Sequence, residues 1–210
     1  MYKYIKRLLD IFISIFLIIL TFIPMSIVAI CIKLEDGGKV IFKQKRVGKN
    51  LKTFNIYKFR SMTENREALD GKLTHEQMVT NVGKFIRKTS LDELPQLFNI
   101  LKGEMSFIGP RPWIVDYYTW MNDKQKRRAC VRPGITGLAQ VNGRNGIGIH
   151  RKIEYDLEYI NHFGFVQDIK ILIDTIRVVL LKKDAEISET GIKEELNALK
   201  AKNKKKIKLF

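Results

Sequence analysis

The sequence predicts an α+β fold that is mainly helical, with a kinked, re-entrant membrane helix at the N-terminus, a small β-hairpin and amphipathic interfacial helices. Three observations lead to this class: a 22-residue run without charge over Ile11–Ile32, two strand-like runs around a glycine-containing turn, and apolar residues at helical spacing further along. A length of 210 residues is about one domain with a small attachment. We expect a membrane-inserted helix over 1–35, a cytoplasmic domain over 36–190 and a polybasic flexible tail over 191–210.

Composition limits the classes of partner. The chain has 38 Lys and Arg against 22 Asp and Glu, a net charge of +16, and 45% of its residues are hydrophobic. It can therefore bury a core, which excludes a wholly disordered polycation. The two cysteines, Cys31 and Cys130, cannot form a disulfide scaffold and indicate a reducing compartment. The positive charge predicts an anionic partner, which is nucleic acid, anionic lipid or a phosphorylated substrate.

The first helix is long enough for a membrane but is predicted to be bent. Pro24 lacks an N–H and its ring crowds the preceding turn, so we expect a kink there. At 1.5 Å per residue, Leu8–Ile23 measures about 24 Å and Pro24–Ile32 about 14 Å, and neither piece spans a hydrocarbon core of about 30 Å. The run is too long for the apolar region of a cleaved signal peptide.

Basic residues lie on both sides of this apolar run. They are Lys3, Lys6 and Arg7 before it, and Lys33, Lys39, Lys43, Lys45 and Arg46 after it. A spanning helix carries its basic flank on the cytoplasmic side, so two basic flanks favour a bent helix that dips into one leaflet with both ends on the cytoplasmic face. A kinked spanning helix remains the alternative.

Two elements follow from the local pattern. Lys39–Arg46 and Leu51–Phe59 are strand-like runs around Gly48–Asn50, which predicts a hairpin. Leu91–Leu101 has apolar residues at the spacing of one helix face. Glu64–Lys72 is charged and is expected to be an exposed helix or loop.

Two later segments have amphipathic character. Trp113–Cys130 begins with aromatic residues and ends with basic ones, which fits either a helix at the headgroup interface or a core helix with a solvated end. Ile169–Lys183 has its apolar residues on one side, and for this segment we expect packing against the core. The lysine-rich tail is expected to help hold the chain on anionic lipid.

The adjacent acids Asp92 and Glu93 are the strongest candidates for chemistry. Ser90–Glu93 also has the pattern of a capping box, with Ser90 as the N-cap, so a purely structural role is open. Downstream turns rich in glycine and proline present arginines whose guanidinium groups suit phosphate oxygens: Arg111, Arg132 and Arg144. A carboxylate pair can hold Mg²⁺, which bridges to substrate phosphates.

Several runs together resemble the small monotopic phosphoglycosyl transferases of bacteria, and in particular the bacillosamine-phosphate transferases of N-linked glycan pathways. The resemblance covers about Lys6–Leu181. The matching runs are Ile41–Arg46, Tyr57–Met62, Leu91–Asn99, Gly103–Pro112 and Arg132–Arg144.

The resemblance implies a two-step exchange in the 36–190 domain. A carboxylate attacks the β-phosphate of a UDP-sugar and releases UMP, and polyprenyl phosphate then takes the phosphosugar from the enzyme. Carried over, Asp92 is the nucleophile and a Mg²⁺ ligand, and Glu93 assists the metal or acts on the acceptor. The implied phosphate ligands are Arg111 and Arg144, with Lys58, Arg60 and Arg132 as further candidates.

The resemblance also implies a place and partners. The chain is expected on the cytoplasmic face of the inner membrane, held by the helix containing Pro24 and by anionic headgroups, with no nucleic-acid partner. Family members often have Ser before this proline, where the chain has Ile23. Leu138 and Ile149 lie where many relatives have tryptophan, which leaves the preferred donor sugar open.

Two alternatives compete with transfer. One is a membrane-tethered basic protein that binds nucleic acid, with the two acids acting as a helix cap. The other is a membrane diphosphate hydrolase that uses the same acids to activate water.

Overall fold

A computed structural model describes residues 1–63, 73–74, 76–143 and 146–180. These residues form two compact units. The first contains Met1–Arg7, Lys45–Phe54 and the chain from Glu104 onward, and the second contains Leu8–Gln44 and Asn55–Gly103. The predicted charged segment over 64–72, the polybasic tail over 191–210 and Arg144 lie outside the described residues.

Helix α1 (Tyr2–Asp36) is a single 35-residue α-helix with Pro24 inside it. By length and composition it could cross a membrane, and most of its apolar side chains are exposed, including those of Phe12, Phe16 and Ile19. The hydroxyl of Thr21 donates to the Leu17 carbonyl at 2.7 Å, so this polar group is satisfied within the helix. The predicted helix is confirmed, while the kink and the re-entrant path stay predictions.

The predicted hairpin is confirmed. Strands β1 (Ile41–Val47) and β2 (Thr53–Phe59) pair in a two-stranded sheet, and a short 3₁₀ turn over Lys49–Leu51 joins them. Asn50 in this turn has φ 55°, a left-handed conformation that asparagine tolerates better than most residues. The Gly48 amide closes the loop by donating to the Lys52 carbonyl at 2.8 Å.

In the second unit, helix α2 (Asn81–Lys88) contributes Ile86 to a buried core that also contains Val28, Ile32 and Phe59. The helix predicted over Leu91–Leu101 is interrupted. A 3₁₀ turn covers Leu91–Glu93, and helix α3 (Gln96–Lys102) starts only after Pro95. Because proline has no N–H to donate back to the preceding turn, the α-helical hydrogen bonds begin after it.

The first unit contains a short parallel pair, β3 (Ser106–Ile108) and β4 (Gly134–Thr136), in which Ser106 is paired with Gly134. The helices of this unit are α4 (Val115–Tyr118), α5 (Asp123–Lys126), a 3₁₀ turn (Arg127–Ala129), α6 (Leu138–Val141), α7 (Ile149–Asn161) and α8 (Phe165–Leu180).

The prediction of one amphipathic helix over Trp113–Cys130 is wrong. Asn122 forms a capping box with Gln125 and starts a new helix, which breaks the segment into short pieces. Tyr118 and Met121 are buried in a core cluster, so this stretch follows the core alternative and not the interfacial one.

The expectation that Ile169–Lys183 packs against the core holds, over its described part, for Ile171, which belongs to a buried cluster, whereas the predicted apolar side is exposed. In α8 only Asp168 and Ile171 are buried. The hydroxyl of Tyr159 donates to the Asp168 carboxylate at 2.8 Å, which fixes one side of the helix. The exposed apolar residues, called the α8 apolar face below, are Phe165, Val166, Ile169, Leu172, Ile173, Ile176, Val179 and Leu180.

Candidate active site

The two acids lie on the 3₁₀ turn Leu91–Glu93, and they do not cap a helix. Ser90 has φ 59° and ψ 16°, a left-handed conformation, and its side chain accepts no capping hydrogen bond. The predicted Ser90–Glu93 capping box is therefore wrong, because an N-cap residue needs an extended backbone to aim its oxygen at the helix amides. The acids are left without the structural role that competed with a chemical one.

Lys58 on β2 lies against both acids. Its Nζ is 2.7 Å from Glu93 Oε1 and 3.4 Å from Asp92 Oδ2. The side chains are 24% exposed for Lys58, 13% for Asp92 and 20% for Glu93, so solvent and ligands can reach all three. The structure thus places Lys58 beside the two acids, and its assignment to substrate phosphate stays a prediction.

A hydrogen-bonded asparagine holds helix α3 on strand β2. Asn99 accepts from the Tyr57 amide at 3.0 Å and donates to the Asn55 carbonyl at 2.8 Å. Because Asn99 is fully buried, these bonds form away from competing water. They fix Lys58, the next residue on the strand, relative to the turn that precedes α3.

Burial raises the pKa of Asp92 above its ordinary value of 3.8, and the neighbouring Glu93 raises this pKa further. The charges of Lys58 and Arg87 act in the opposite direction and lower the pKa of Asp92. Arg87 is in the last turn of α2 and donates from Nε to Ser61 Oγ at 2.8 Å. Arg87 was not singled out from the sequence, since only its place at the end of a helix brings its charge to this carboxyl.

The remaining candidate of this unit, Arg60, has a structural partner. It is 5% exposed and forms an ion pair with Asp36 at the end of α1. Arg60 also leaves no room for a side chain at position 38, where Gly38 lies. In the structure the guanidinium of Arg60 is buried and paired with a carboxylate, and its assignment to phosphate binding stays a prediction.

The Asp92–Glu93 pair offers carboxylate oxygens, which are the ligand atoms that Mg²⁺ prefers. Within the described ranges no group of three or more His, Cys, Asp or Glu side chains could hold a metal ion. Mg²⁺ is typically bound by one or two carboxylates, with waters and substrate phosphates completing the octahedron. Asp92 and Glu93 fit that pattern, and the ammonium of Lys58 shows that the position already stabilises positive charge.

In the first unit, Arg111 lies on a loop whose backbone carbonyls accept hydrogen bonds from neighbouring residues. Pro110 and Pro112 are buried while Arg111 between them is exposed. The Pro110 carbonyl accepts from the Gly134 amide at 3.0 Å, and the Arg111 carbonyl accepts from Arg128 Nη2 at 2.8 Å. The predicted Arg132 is partly buried and directly precedes Pro133 and β4.

Arg128 is itself buried and neutralised. Its Nε and Nη2 donate to Asp156 Oδ2 at 2.9 and 2.6 Å, its Nη1 donates to the Tyr118 hydroxyl at 2.7 Å, and its guanidinium lies 4.0 Å from the Trp113 ring centroid. No local pattern predicts this arrangement, because Arg128 and Asp156 are 28 residues apart.

Comparison with known proteins now identifies the family. The model of a protein family described as "Bacterial sugar transferase" matches residues 1–182 of this chain. This chain belongs to the bacterial sugar transferase family. It is 45% identical over 178 residues to a Bacillus subtilis protein named as the uncharacterized sugar transferase EpsL, and the match covers 85% of this chain and 88% of that protein.

Two relatives of this sugar transferase have names that state a reaction. The undecaprenyl-phosphate galactose phosphotransferase of Salmonella typhimurium is 39% identical over 200 residues, covering 87% of this chain and 42% of the relative. The UDP-glucose:undecaprenyl-phosphate glucose-1-phosphate transferase of Klebsiella pneumoniae is 42% identical over 190 residues, covering 86% and 41%. The chain thus spans less than half of these two longer relatives.

Proposed function

We propose that this sugar transferase moves a sugar 1-phosphate from a UDP-sugar to polyprenyl phosphate, with undecaprenyl phosphate as the natural acceptor. The products are a polyprenyl-diphosphate sugar, which would begin a surface or glycoprotein glycan, and UMP. The observation that carries the proposal is the Asp92–Glu93 pair, which is solvent-accessible, does not cap a helix and is bonded to Lys58. Both of the longer relatives described above carry undecaprenyl phosphate in their names.

In the first step, an oxygen of the Asp92 carboxylate attacks the β-phosphorus of the donor. The bond between that phosphorus and the oxygen bridging to the α-phosphorus breaks, and UMP leaves with the bridging oxygen. Asp92 then carries the sugar phosphate as an acyl phosphate. An ionised carboxylate needs no base to act as a nucleophile, and covalent catalysis divides one transfer into two easier ones.

In the second step, a phosphate oxygen of the polyprenyl acceptor attacks the same phosphorus. The acyl-phosphate bond breaks and returns the carboxylate of Asp92. We propose that Glu93 acts on the incoming acceptor or supports the cation beside it.

Lys58 and Arg87 hold Asp92 in its ionised form, against the burial that favours the protonated acid. Mg²⁺, when bound by Asp92 and Glu93, would neutralise charge on the donor diphosphate. Arg111 is proposed to hold a phosphate group through its guanidinium fork, with Arg132 and Arg144 as further candidates.

For the membrane, we propose that α1 enters one leaflet from the cytoplasmic face and that the α8 apolar face lies at the headgroup interface. An exposed apolar stripe of this length on one helix is typical of an interaction surface, and lipid is the partner that the proposed acceptor requires. Anionic headgroups complement the net charge of +16.

No specific observation supports either alternative, nucleic-acid binding or diphosphate hydrolysis. The nucleic-acid-binding alternative gave the two acids the role of a helix cap, and Ser90 makes no capping hydrogen bond. A hydrolase would use the same acids to activate water against the donor diphosphate, and it would not need an acceptor.

The deciding experiment offers radiolabelled UDP-galactose, UDP-glucose and UDP-N-acetylgalactosamine to the purified chain, with and without undecaprenyl phosphate. Transfer predicts UMP release together with label in the lipid fraction for at least one donor. Continued UMP release at the same rate with and without the acceptor would indicate hydrolysis. No turnover with any donor would contradict an enzymatic activity of the chain on these sugars. Mass spectrometry of the chain with donor alone should show a phosphosugar adduct that Asp92→Asn cannot form.

A further inference from the structure

We infer that Asp168, in the first turn of α8, fixes the N-terminus of α1 on the side of the membrane where the α8 apolar face lies. Its carboxylate binds Tyr2 and Lys6 of α1. The inference rests on the proposed function, which places α1 and the α8 apolar face in lipid, and it adds the contact that sets the direction of α1. All residues that carry it belong to the first unit.

The carboxylate of Asp168 is the acceptor for three side chains that are distant from one another in the sequence. Lys6 Nζ lies 2.5 Å from Asp168 Oδ2, and the hydroxyl of Tyr2 donates to the same oxygen. The hydroxyl of Tyr159 donates to Oδ1 at 2.8 Å. The side chains of Lys6 and Asp168 are 12% and 6% exposed, so water screens their charges weakly. Separating them would leave a poorly solvated carboxylate.

The ring of Tyr2 adds apolar packing at the same place. Its centroid lies 5.4 Å from that of Phe163 and 6.2 Å from that of Phe165, the first residue of α8. Phe163 also meets the buried Tyr159 edge-on at 5.9 Å. Aromatic pairs at these separations attract each other beyond the burial of their surface. The ion pair, the hydroxyl bond and the ring packing of Tyr2 and Lys6 are together called the Asp168 contact below.

The Asp168 contact restricts the path of α1 through a membrane. Asp168 belongs to a folded unit with many charged groups, and such a unit does not cross a bilayer. An N-terminus bound to Asp168 therefore stays on the side of that unit. The chain after α1 enters β1, whose last residues, Lys45–Val47, belong to the same unit. A spanning α1 would have to pull Tyr2 and Lys6 away from Asp168, so the contact favours a helix that returns to the side from which it entered.

Exposed apolar side chains follow the contact on both helices. On α8 they begin with Phe165 and Val166, which are 55% and 81% exposed, and on α1 they include Tyr4 and Ile5, which are 67% and 46% exposed. A carboxylate that is paired and hydrogen-bonded costs less beside hydrocarbon than one that is not. The partners of Asp168 thus allow both helix starts to lie at a lipid surface.

The contact also changes what the basic residues before the apolar run can do. Counted along the sequence, Lys6 belongs with Lys3 and Arg7 to a flank that favours the cytoplasmic side. In the structure Asp168 neutralises Lys6, which reduces the attraction of Lys6 to anionic headgroups. We therefore expect a specific contact, and not the charge of the flank alone, to fix the N-terminus.

The test labels the N-terminus of the full chain in bacterial cells. Cys31 and Cys130 are replaced by serine, and a single cysteine tag is added at the N-terminus. A membrane-impermeant maleimide is applied to intact cells and, in parallel, after lysis. The labelled fraction is the labelling of intact cells divided by the labelling after lysis.

Two double variants are compared with the wild type. Tyr2→Phe with Lys6→Met removes the hydroxyl and the ammonium that bind Asp168. Tyr4→Phe with Lys3→Met is the matched control, because it makes the same chemical change at two exposed neighbours. The first variant is expected to have a labelled fraction several-fold above that of the control, since loss of a charge-assisted hydrogen bond frees the N-terminus to cross.

The outcomes separate this inference from the proposed function. Equal labelling of the two double variants overturns the inference, and so does a wild-type chain whose tag reacts in intact cells. Sugar transfer is measured on membranes from the same cells. A wild-type chain that is protected from labelling but transfers no sugar supports the inference and contradicts the proposed function.

A charge exchange keeps the test decisive if the first variant does not accumulate in the membrane. Asp168→Lys brings two ammonium groups together and is expected to raise the labelled fraction. Adding Lys6→Asp restores the ion pair with its charges reversed, and it should return both the amount of chain in the membrane and the protection of the tag towards the wild type. Control by flank charge alone predicts the opposite, because Lys6→Asp removes positive charge from the flank. No recovery on adding Lys6→Asp would overturn the inference.

Discussion

At the scale of single residues, the environment of Asp92 contains opposing effects on one carboxyl. Burial and Glu93 favour the protonated acid, whereas Lys58 and Arg87 favour the carboxylate. The net direction is a raised pKa, so the folded chain holds the charged form at some cost. A nucleophile that is poorly solvated and only partly neutralised is more reactive than one in a tight ion pair.

Asp92→Asn should abolish transfer and should not destabilise the fold. A carboxyl whose pKa is raised in the folded state stabilises the fold while it is protonated. That contribution is lost as the pH rises from the ordinary value of 3.8 through the higher folded value. Above that window the variant is expected to be at least as stable as the wild type, with the difference shrinking as the pH falls towards 4.

The measurement combines a transfer assay with thermal denaturation between pH 4 and pH 8. Glu93→Gln serves as the comparison, because it changes the neighbouring acid without removing the proposed nucleophile. Transfer by Asp92→Asn at a rate close to the wild type would refute the assignment of the nucleophile.

Asp156→Asn is expected to be strongly destabilising, although the substitution is nearly isosteric. It leaves the guanidinium of Arg128 buried without a counter-charge, and breaking a buried pair in this way typically costs about 3–5 kcal/mol. Chemical denaturation measures the change in unfolding free energy. Glu154→Gln is the control on the same helix, since its pair with Arg151 is exposed, and it should have little effect. Equal effects of the two substitutions would show that the buried pair is not structurally important.

At the scale of elements, local patterns predicted some structures well and others poorly. The hairpin was predictable because its strands and turn are set by neighbouring residues. The prediction of a capping box was wrong because Ser90 has a left-handed backbone conformation, which no local pattern predicts. Asp92 and Glu93 could be found from their motif, but Arg128 could not, since its partner Asp156 is 28 residues away and the two meet only in the folded chain.

The case of α8 shows why amphipathicity alone cannot decide burial. A stripe of apolar residues predicts that one face of a helix is covered, but it does not indicate whether protein or lipid covers it. In the structure the protein covers Ile171 and leaves the α8 apolar face exposed. The position of the helix had to come from tertiary contacts such as the bond between Tyr159 and Asp168.

If the α8 apolar face contacts lipid, a reporter on it will be quenched from within the bilayer. In a background of Trp113→Phe and Trp120→Phe, Leu172→Trp should lose most of its fluorescence in vesicles that contain brominated lipid. Arg177→Trp, on the same helix but at a polar position, should be quenched much less. Equal quenching at the two positions would contradict an oriented interfacial helix.

At the scale of the whole molecule, the net charge of +16 and the apolar helix α1 act together. In the membrane-bound state that we propose, the helix would supply apolar burial in lipid and the basic residues would supply attraction to anionic headgroups. A chain held in this way can receive a water-soluble donor and a lipid-embedded acceptor at one surface. For the proposed reaction the acids must face the compartment that supplies the donor, and a re-entrant α1 would place both of its ends on that same side.

The path of α1 can be tested by labelling cysteines from either side of the membrane. Cys31 and Cys130 are both exposed, so they are first replaced by serine, and a single cysteine tag is then added at one terminus or the other. A re-entrant helix predicts that a membrane-impermeant maleimide reacts with neither tag in intact cells and with both after lysis. Labelling of the N-terminal tag in intact cells would establish a spanning helix. Unchanged transfer by such a chain would mean that the reaction does not depend on a re-entrant path of α1.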